Sequence, residues 1–165
     1  MKFNRYSLKQ LANIKYGKNQ KKVLSDSGNI PIYGTGGIMG YATDFLYDKP
    51  SVLIGRKGTI DKVRYVENPF WTVDTLFYTE VKENIVIPIY LYYLISQLDL
   101  KHYNEGTTIP SLRTETLNQL EFDIPSLENQ RKIISVLKPI EEKIKTNSDI
   151  NKNLPTHPCV ARIAA

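Results

Sequence analysis

The spacing of apolar positions changes twice along this chain, near Pro88 and again after Pro125, and the predicted elements change with it. At the start, Leu8, Leu11 and Ala12 share one helical face, and Ser7-Leu8-Lys9-Gln10 has capping-box spacing, which predicts a short first helix. A polar, Lys-rich loop is expected over residues 17–29. Ile30-Pro31-Ile32-Tyr33 reads as a short strand, broken by the glycine cluster Gly34-Thr35-Gly36-Gly37-Ile38-Met39-Gly40-Tyr41. Val52-Leu53-Ile54 has the unbroken apolar run of a buried strand, and Lys62-Val63-Arg64-Tyr65-Val66 alternates as a half-buried one. Between them lies the turn Gly55-Arg56-Lys57-Gly58-Thr59, and a further strand is expected over about residues 75–81.

From Pro88 the period becomes helical. Leu91, Leu94, Ile95 and Leu98 stand at i, i+3, i+4 and i+7, and Pro88 suits a first turn. The loop Gly106-Thr107-Thr108-Ile109-Pro110-Ser111 follows, then a short helix near residues 114–119 and a last strand, Glu121-Phe122-Asp123-Ile124, ended by Pro125. Ser126 caps a helix expected to run to about Leu154. Along it Ile133, Leu137, Ile140, Ile144, Asn147, Asn151 and Leu154 alternate in steps of four and three, a heptad seam. At about 1.5 Å per residue this helix is a rod of roughly 43 Å. Two packings are open: an amphipathic helix folded back on its own domain, or an intermolecular seam. The second is preferred, because buried Asn at seam positions lowers stability but favours one register and one stoichiometry. After Leu154, two prolines and an Ala-rich end read as a frayed or truncated terminus. The expected architecture is α+β: a mixed-sheet domain over residues 1–125, a long C-terminal coiled-coil helix over 126–154, and an irregular tail over 155–165.

Composition narrows the setting. Hydrophobic residues make up 41% of the 165, enough for a core. No apolar run reaches the roughly 20 residues of a membrane span. The N-terminus is charged at once and lacks the apolar segment of a secretion signal. A single cysteine, Cys159, permits neither an internal disulfide nor a cysteine metal cage, so a soluble, cytoplasmic protein is expected. Residues 1–66 hold 12 Lys/Arg against four acids, or +8; residues 67–124 hold three against nine, or −6; residues 125–165 hold seven against four, or +3. A basic first third suits a polyanion, although a solvated basic face explains the charge equally well.

Candidate chemistry fails motif by motif. Counting from Gly34 and Gly36 places Met39 where a dinucleotide loop needs its third glycine, and Lys57 precedes Gly58 where a P-loop needs Gly-Lys. What survives is a backbone free to take positive φ and approach a ligand, or simply a tight turn. Asn68-Pro69-Phe70-Trp71 lacks the second proline of a base-flipping methyltransferase loop, and no cofactor loop precedes it. Asp74 with Glu80-Val81-Lys82 has the spacing of a metal-dependent nuclease, but Glu80 at a strand end beside Glu83 is explained as a solvated acid. His102 and His157 lack ligand-spaced companions, so no metal site is expected. No Ser or Thr has a plausible His base, and no catalytic residue is assigned.

Basic turns remain. Arg56 and Lys57 sit between Gly55 and Gly58, with Thr59 and Lys62 beyond. Glycine lets such a backbone approach a phosphate, and arginine can reach guanine through two hydrogen bonds. Thr35, Gly36 and Gly37 in the glycine cluster, and Thr107, Thr108, Ser111 and Arg113 in and after the later loop, complete the candidate DNA-binding set.

Five motifs in order carry a resemblance: Pro31-Ile32-Tyr33-Gly34 with Gly36-Gly37 and Gly40-Tyr41; Val52-Leu53-Ile54-Gly55-Arg56-Lys57-Gly58-Thr59-Ile60; Phe70-Trp71-Thr72-Val73-Asp74-Thr75; Gly106-Thr107-Thr108-Ile109-Pro110-Ser111-Leu112; and Phe122-Asp123-Ile124-Pro125-Ser126-Leu127-Glu128-Asn129-Gln130-Arg131-Lys132-Ile133. Over roughly residues 5–154 the chain resembles the specificity subunit of type I restriction–modification systems, in a half-sized form with one target-recognition domain and one conserved helix. The resemblance implies a non-catalytic subunit that binds one part of a bipartite double-stranded DNA target. Its helices space the two parts and dock methyltransferase (modification) subunits and, through them, the restriction subunit. It also implies that those partners, and not this chain, use S-adenosylmethionine, ATP and Mg. One recognition domain and one helix imply a homodimer, or a truncated fragment serving only oligomerisation or regulation. Where the family commonly has glycine after Thr-Ile, this chain has Asp61, which is expected to alter the turn and repel phosphate slightly.

Overall fold

The computed structural model describes residues 2–153, so Leu154, the last expected seam position, and the tail over 155–165 lie outside the described residues. The α+β expectation holds, with nine strands and four α-helices among the described residues. Strand β1 (Phe3–Ser7) pairs antiparallel with β9 (Glu121–Pro125). A four-stranded antiparallel sheet runs β2 (Ala12–Tyr16), β8 (Leu76–Val81), β5 (Ser51–Gly55), β6 (Val63–Val66). A mixed sheet runs β4 (Gly37–Ala42), β3 (Ile30–Gly34), β7 (Trp71–Thr72), the β3–β7 pair being parallel.

The short first helix forms as α1 (Leu8–Leu11). Gln10 accepts from the Ser7 backbone N–H at 2.8 Å, and Leu8 and Leu11 are fully buried. The strands on either side of it have no apolar alternation to announce them. β1 is mostly exposed, and its position is set by its partner: Arg5 Nε and Nη2 donate to the two Asp123 carboxylate oxygens at 3.1 and 3.2 Å. The glycine cluster also contains a strand, β4, where a strand-breaking loop was expected. Only Thr35 and Gly36 form the turn, and Gly37 takes φ +131°, which a side chain would strain.

β5 is buried along its whole length, as its apolar run predicts. Where it diverges from β8, two hydroxyls replace the ladder. Ser51 Oγ donates to the Thr79 carbonyl at 2.7 Å, and Thr79 Oγ1 accepts from the Val52 N–H at 2.9 Å. Leu53, Val66, Phe70 and Tyr78 form one core cluster. The Phe70 ring meets Tyr47 and Tyr78 edge-on at 6.0 Å in each case.

Helix α2 (Pro88–Ser96) buries Leu91 and Ile95 as expected, but it ends before Leu98. A 3₁₀ turn at Leu100–Tyr103 follows, then α3 (Thr114–Asn118) and α4 (Leu127–Asn153). By packing, the chain divides into a unit up to Arg131 and a unit from Lys132 onward. Fully buried Gln130 holds the first turn of α4 in the former. Its Oε1 accepts from the Ile87 N–H at 2.8 Å, while Nε2 donates to the carbonyls of Ile85 and Pro125 at 3.0 and 2.9 Å. In the second unit α4 continues through Pro139, which has no N–H for the helical ladder. Ile133 and Leu137 are half-buried, Ile140 and Ile144 are 51% and 64% exposed, and Asn147 and Asn151 are exposed. No described helix is long and apolar enough to cross a membrane.

Candidate nucleic-acid interface

The basic turn after β5 is shaped by glycine. A Cβ on Gly55 would stand 2.2 Å from the Thr59 carbonyl oxygen, and Gly58 takes φ +85°. The turn is then tied to two distant segments. Arg56 and Lys57 N–H groups donate to the Thr75 carbonyl at 2.9 and 3.2 Å. On the other side, Gly58 N–H donates to the Pro110 carbonyl at 2.8 Å, Leu112 N–H to the Arg56 carbonyl at 2.9 Å, and Lys57 bridges Ser111. The two loops expected to contact DNA, about 50 positions apart in the sequence, are thus one backbone unit.

Within it, Arg56 and Lys57 differ. The Arg56 guanidinium stands 5.0 Å above the Tyr16 ring, and its Nη1 donates to the Asp74 carbonyl at 2.8 Å. Arg56, a candidate DNA contact, ties three segments together, while Lys57 is exposed beside it.

The later loop is closed by Asn104, which the sequence reading passed over. Its Oδ1 accepts from the N–H groups of Gly106 and Ser111 at 2.9 and 2.8 Å, and its Nδ2 donates to the Gly106 carbonyl at 3.1 Å. A Cβ on Gly106 would stand 1.9 Å from the Ile109 carbonyl oxygen, so no other residue fits that closure. Thr107 and Thr108 are exposed at the tip, as phosphate donors must be. Arg113 is exposed but paired with Glu105 at 3.1 Å, and Glu105 also accepts from the Thr116 hydroxyl.

The β3–β4 turn joins this surface through an open groove of about 480 Å³, lined by Thr35, Gly36, Gly37, Met39, Asp74 and Thr75. A second groove of about 370 Å³ lies between β6 and α2, lined by Asp61, Lys62, Val63, Arg64, Tyr92 and Ser96. Asp61 does not stand as a bare repulsive charge. It pairs with Lys101 at 2.8 Å, and the hydrogen bond from Lys101 is the main reason its carboxyl sits below the usual carboxylate range. Arg64, read only as a strand residue, lies against the β3–β4 turn, its Nη2 3.6 Å from where a Cβ on Gly37 would stand.

The nuclease arrangement is overturned by geometry. Asp74 precedes β8 and Glu80 lies near its far end, and Leu76 to Glu80 alone spans about 13 Å of strand. Glu80 pairs with Lys15 at 3.6 Å, and Lys82 donates to the Lys9 carbonyl at 2.9 Å. Glu80 and Lys82 are thus committed to separate partners. His157 lies outside the described residues, and His102 makes an edge-on ring contact with Tyr103 at 5.5 Å.

Against known proteins, residues 2–156 match the family model described as the type I restriction modification DNA specificity domain. The type I restriction enzyme MjaIX specificity subunit of Methanocaldococcus jannaschii is 29% identical over 113 residues, which cover 66% of this chain and 26% of the relative. The HindI specificity subunit of Haemophilus influenzae is 29% identical over 99 residues, covering 54% of this chain and 22% of the relative. The chain therefore matches only about a quarter of the length of these curated relatives. In fold it is similar to the crystal structure of a type I restriction–modification S subunit from M. genitalium, with a TM-score of 0.77 at 20% identity over 93% of this chain and 44% of that one. The HsdS subunit from Thermoanaerobacter tengcongensis gives a TM-score of 0.64 at 14% identity, over 93% of this chain and 40% of that one.

Proposed function

The chain belongs to the family of type I restriction modification DNA specificity domains, and from that premise we propose that it reads one part of a bipartite double-stranded DNA target and performs no chemistry itself. The observation that carries this reading is the joining of the Arg56–Gly58 turn, the 106–111 loop and the Asp74–Thr75 turn by main-chain hydrogen bonds, with the Thr35–Gly37 turn across the groove. Recognition needs elements held in fixed register, because phosphate contacts set orientation and base contacts read sequence. Glycines at 36, 37 and 58 let the backbone come close to a sugar–phosphate strand, and Thr107 and Thr108 offer hydroxyl donors.

In the same reading, α4 is the assembly element. Its seam pairs two copies of the chain and presents a surface to modification subunits, through which the restriction subunit joins. Those partners supply the S-adenosylmethionine, ATP and Mg chemistry, and this chain binds none of the three. The setting is cytoplasmic, where the DNA and the partner subunits are.

Two measurements test the reading. Mapping methylated adenines before and after deletion of the gene should remove one motif, and that motif should be symmetric if the seam pairs identical chains. The purified chain, mixed with its modification subunits, should shift a duplex carrying that motif and leave a scrambled one free. No lost motif and no complex with the subunits would refute it.

A further inference from the structure

We infer that the groove between β6 and α2 is a phosphate-backbone contact of the DNA-binding surface, with Arg64 as its principal cation and Lys62 beside it. The inference rests on the DNA-reading proposal and adds to it a residue, Arg64, and a mode of contact.

Of the four arginines between residues 2 and 130, three have protein partners for their guanidinium groups. Arg5 is held by Asp123 and Glu121, Arg113 by Glu105, and Arg56 by the Asp74 carbonyl and the Tyr16 ring. Arg64 has neither an ion pair nor a hydrogen bond among the described residues, although it is half-buried. A guanidinium has five donors in a fixed fork, and leaving it partly withdrawn from water without an acceptor is unfavourable unless an acceptor arrives from outside.

The surroundings specify that acceptor. Lys62 and Arg64 are two positions apart at the start of an extended segment, which places both on one face. The acid in the groove, Asp61, is paired with Lys101 at 2.8 Å and also interacts with Lys62, so the lining carries more positive than negative charge. Tyr92 and Ser96 are the α2 side of the groove, and the Ser96 hydroxyl donates to the Tyr92 carbonyl at 2.6 Å. An open, polar, net-positive groove of this size suits a phosphodiester better than an enclosed small molecule. Arg64 also lies against Gly37, where the missing side chain leaves it room. Arg64 therefore stands beside the β3–β4 turn as well as in the groove, and a strand contacting that turn would meet Arg64 next.

The test uses the full chain and a fluorescein-labelled duplex of mixed sequence, with dissociation constants measured across a salt series. Arg64→Gln should weaken binding about tenfold and reduce the slope of log affinity against log salt by about one. Arg64→Lys should keep the wild-type slope, since a phosphate accepts either cation. An unchanged slope in Arg64→Gln, or Arg64→Lys behaving like Arg64→Gln, overturns the inference while leaving the DNA-reading proposal standing. If Arg64→Gln lowers the melting temperature, Lys62→Gln, at an exposed position, carries the same slope prediction. Failure of the wild-type chain to bind any duplex overturns the proposal and the inference together.

Discussion

Asp61 and Lys101 illustrate how a residue's neighbours change its meaning. Their 2.8 Å contact lowers the carboxyl of the one and raises the ammonium of the other, in each case chiefly through the hydrogen bond between them. A lowered carboxyl contributes stability above its ordinary value of 3.8, lost as pH falls through the folded value. A raised ammonium contributes below its ordinary 10.5, lost as pH rises through the folded value. The pair therefore acts in the window between, and denaturation midpoints of Asp61→Asn should approach those of wild type at both pH extremes and lie below them only in the middle. A constant offset across the range would exclude this account. Arg56 and Lys57, adjacent in the sequence, should part company in the same way. Arg56→Ala removes a clamp on Asp74 and Tyr16 and should lower unfolding free energy by about 1–2 kcal/mol. Lys57→Ala should leave stability within about 0.5 kcal/mol but flatten the salt dependence of DNA binding. Charge and glycine spacing made the Arg56–Thr59 turn visible in the sequence. The clamp was not visible, because Tyr16 and Asp74 are 40 and 18 positions away from Arg56.

At the scale of elements, what was legible was what carries its own signal. β5 announced itself by an unbroken apolar run, α1 by its capping box, and α4 by a heptad long enough to dominate any local exception, even Pro139. β1 and β2 did not, because their stability is borrowed from β9 and β8 through ladder bonds and the Arg5–Asp123 fork. β4 was masked by glycines, which weaken strand propensity without forbidding pairing. Gln130 belongs to the same class of hidden element. On the helical pattern it is one polar position among many, yet it is fully buried and satisfies one donor and two acceptors at the ends of other elements. Gln130→Leu keeps the volume and removes all three bonds, so it should cost about 3 kcal/mol in urea unfolding with an unchanged m-value. A loss under about 1 kcal/mol would mean that the freed Ile87, Ile85 and Pro125 groups find water readily. The packing of α4's first turn would then not depend on Gln130.

For the molecule as a whole, the decisive feature is the seam of α4, which leaves apolar side chains exposed among the described residues. Ile140 and Ile144, at successive seam positions, are each more than half exposed, whereas the aliphatic residues of β5 and α1 are fully buried. Two copies pairing through the seam would cover four such side chains. Burying an isoleucine completely contributes about 1.5–3 kcal/mol, and these begin about half-buried, so the four together contribute roughly 4 kcal/mol. That corresponds to about a thousandfold in a dimer dissociation constant. The wild-type chain should therefore sediment as a dimer at micromolar concentration, and Ile140→Asp with Ile144→Asp as a monomer. Because both positions are exposed in the single chain, near-ultraviolet circular dichroism of the reading domain should not change. DNA binding separates the outcomes further. If each copy reads one half of a symmetric target, the monomeric variant should lose affinity for the two-part site by far more than for a duplex carrying one half, since linked binding raises the effective concentration of the second contact. Equal losses on both duplexes, or a wild-type chain that is monomeric at all concentrations, would remove the homodimer from the proposal and leave the single reading domain intact.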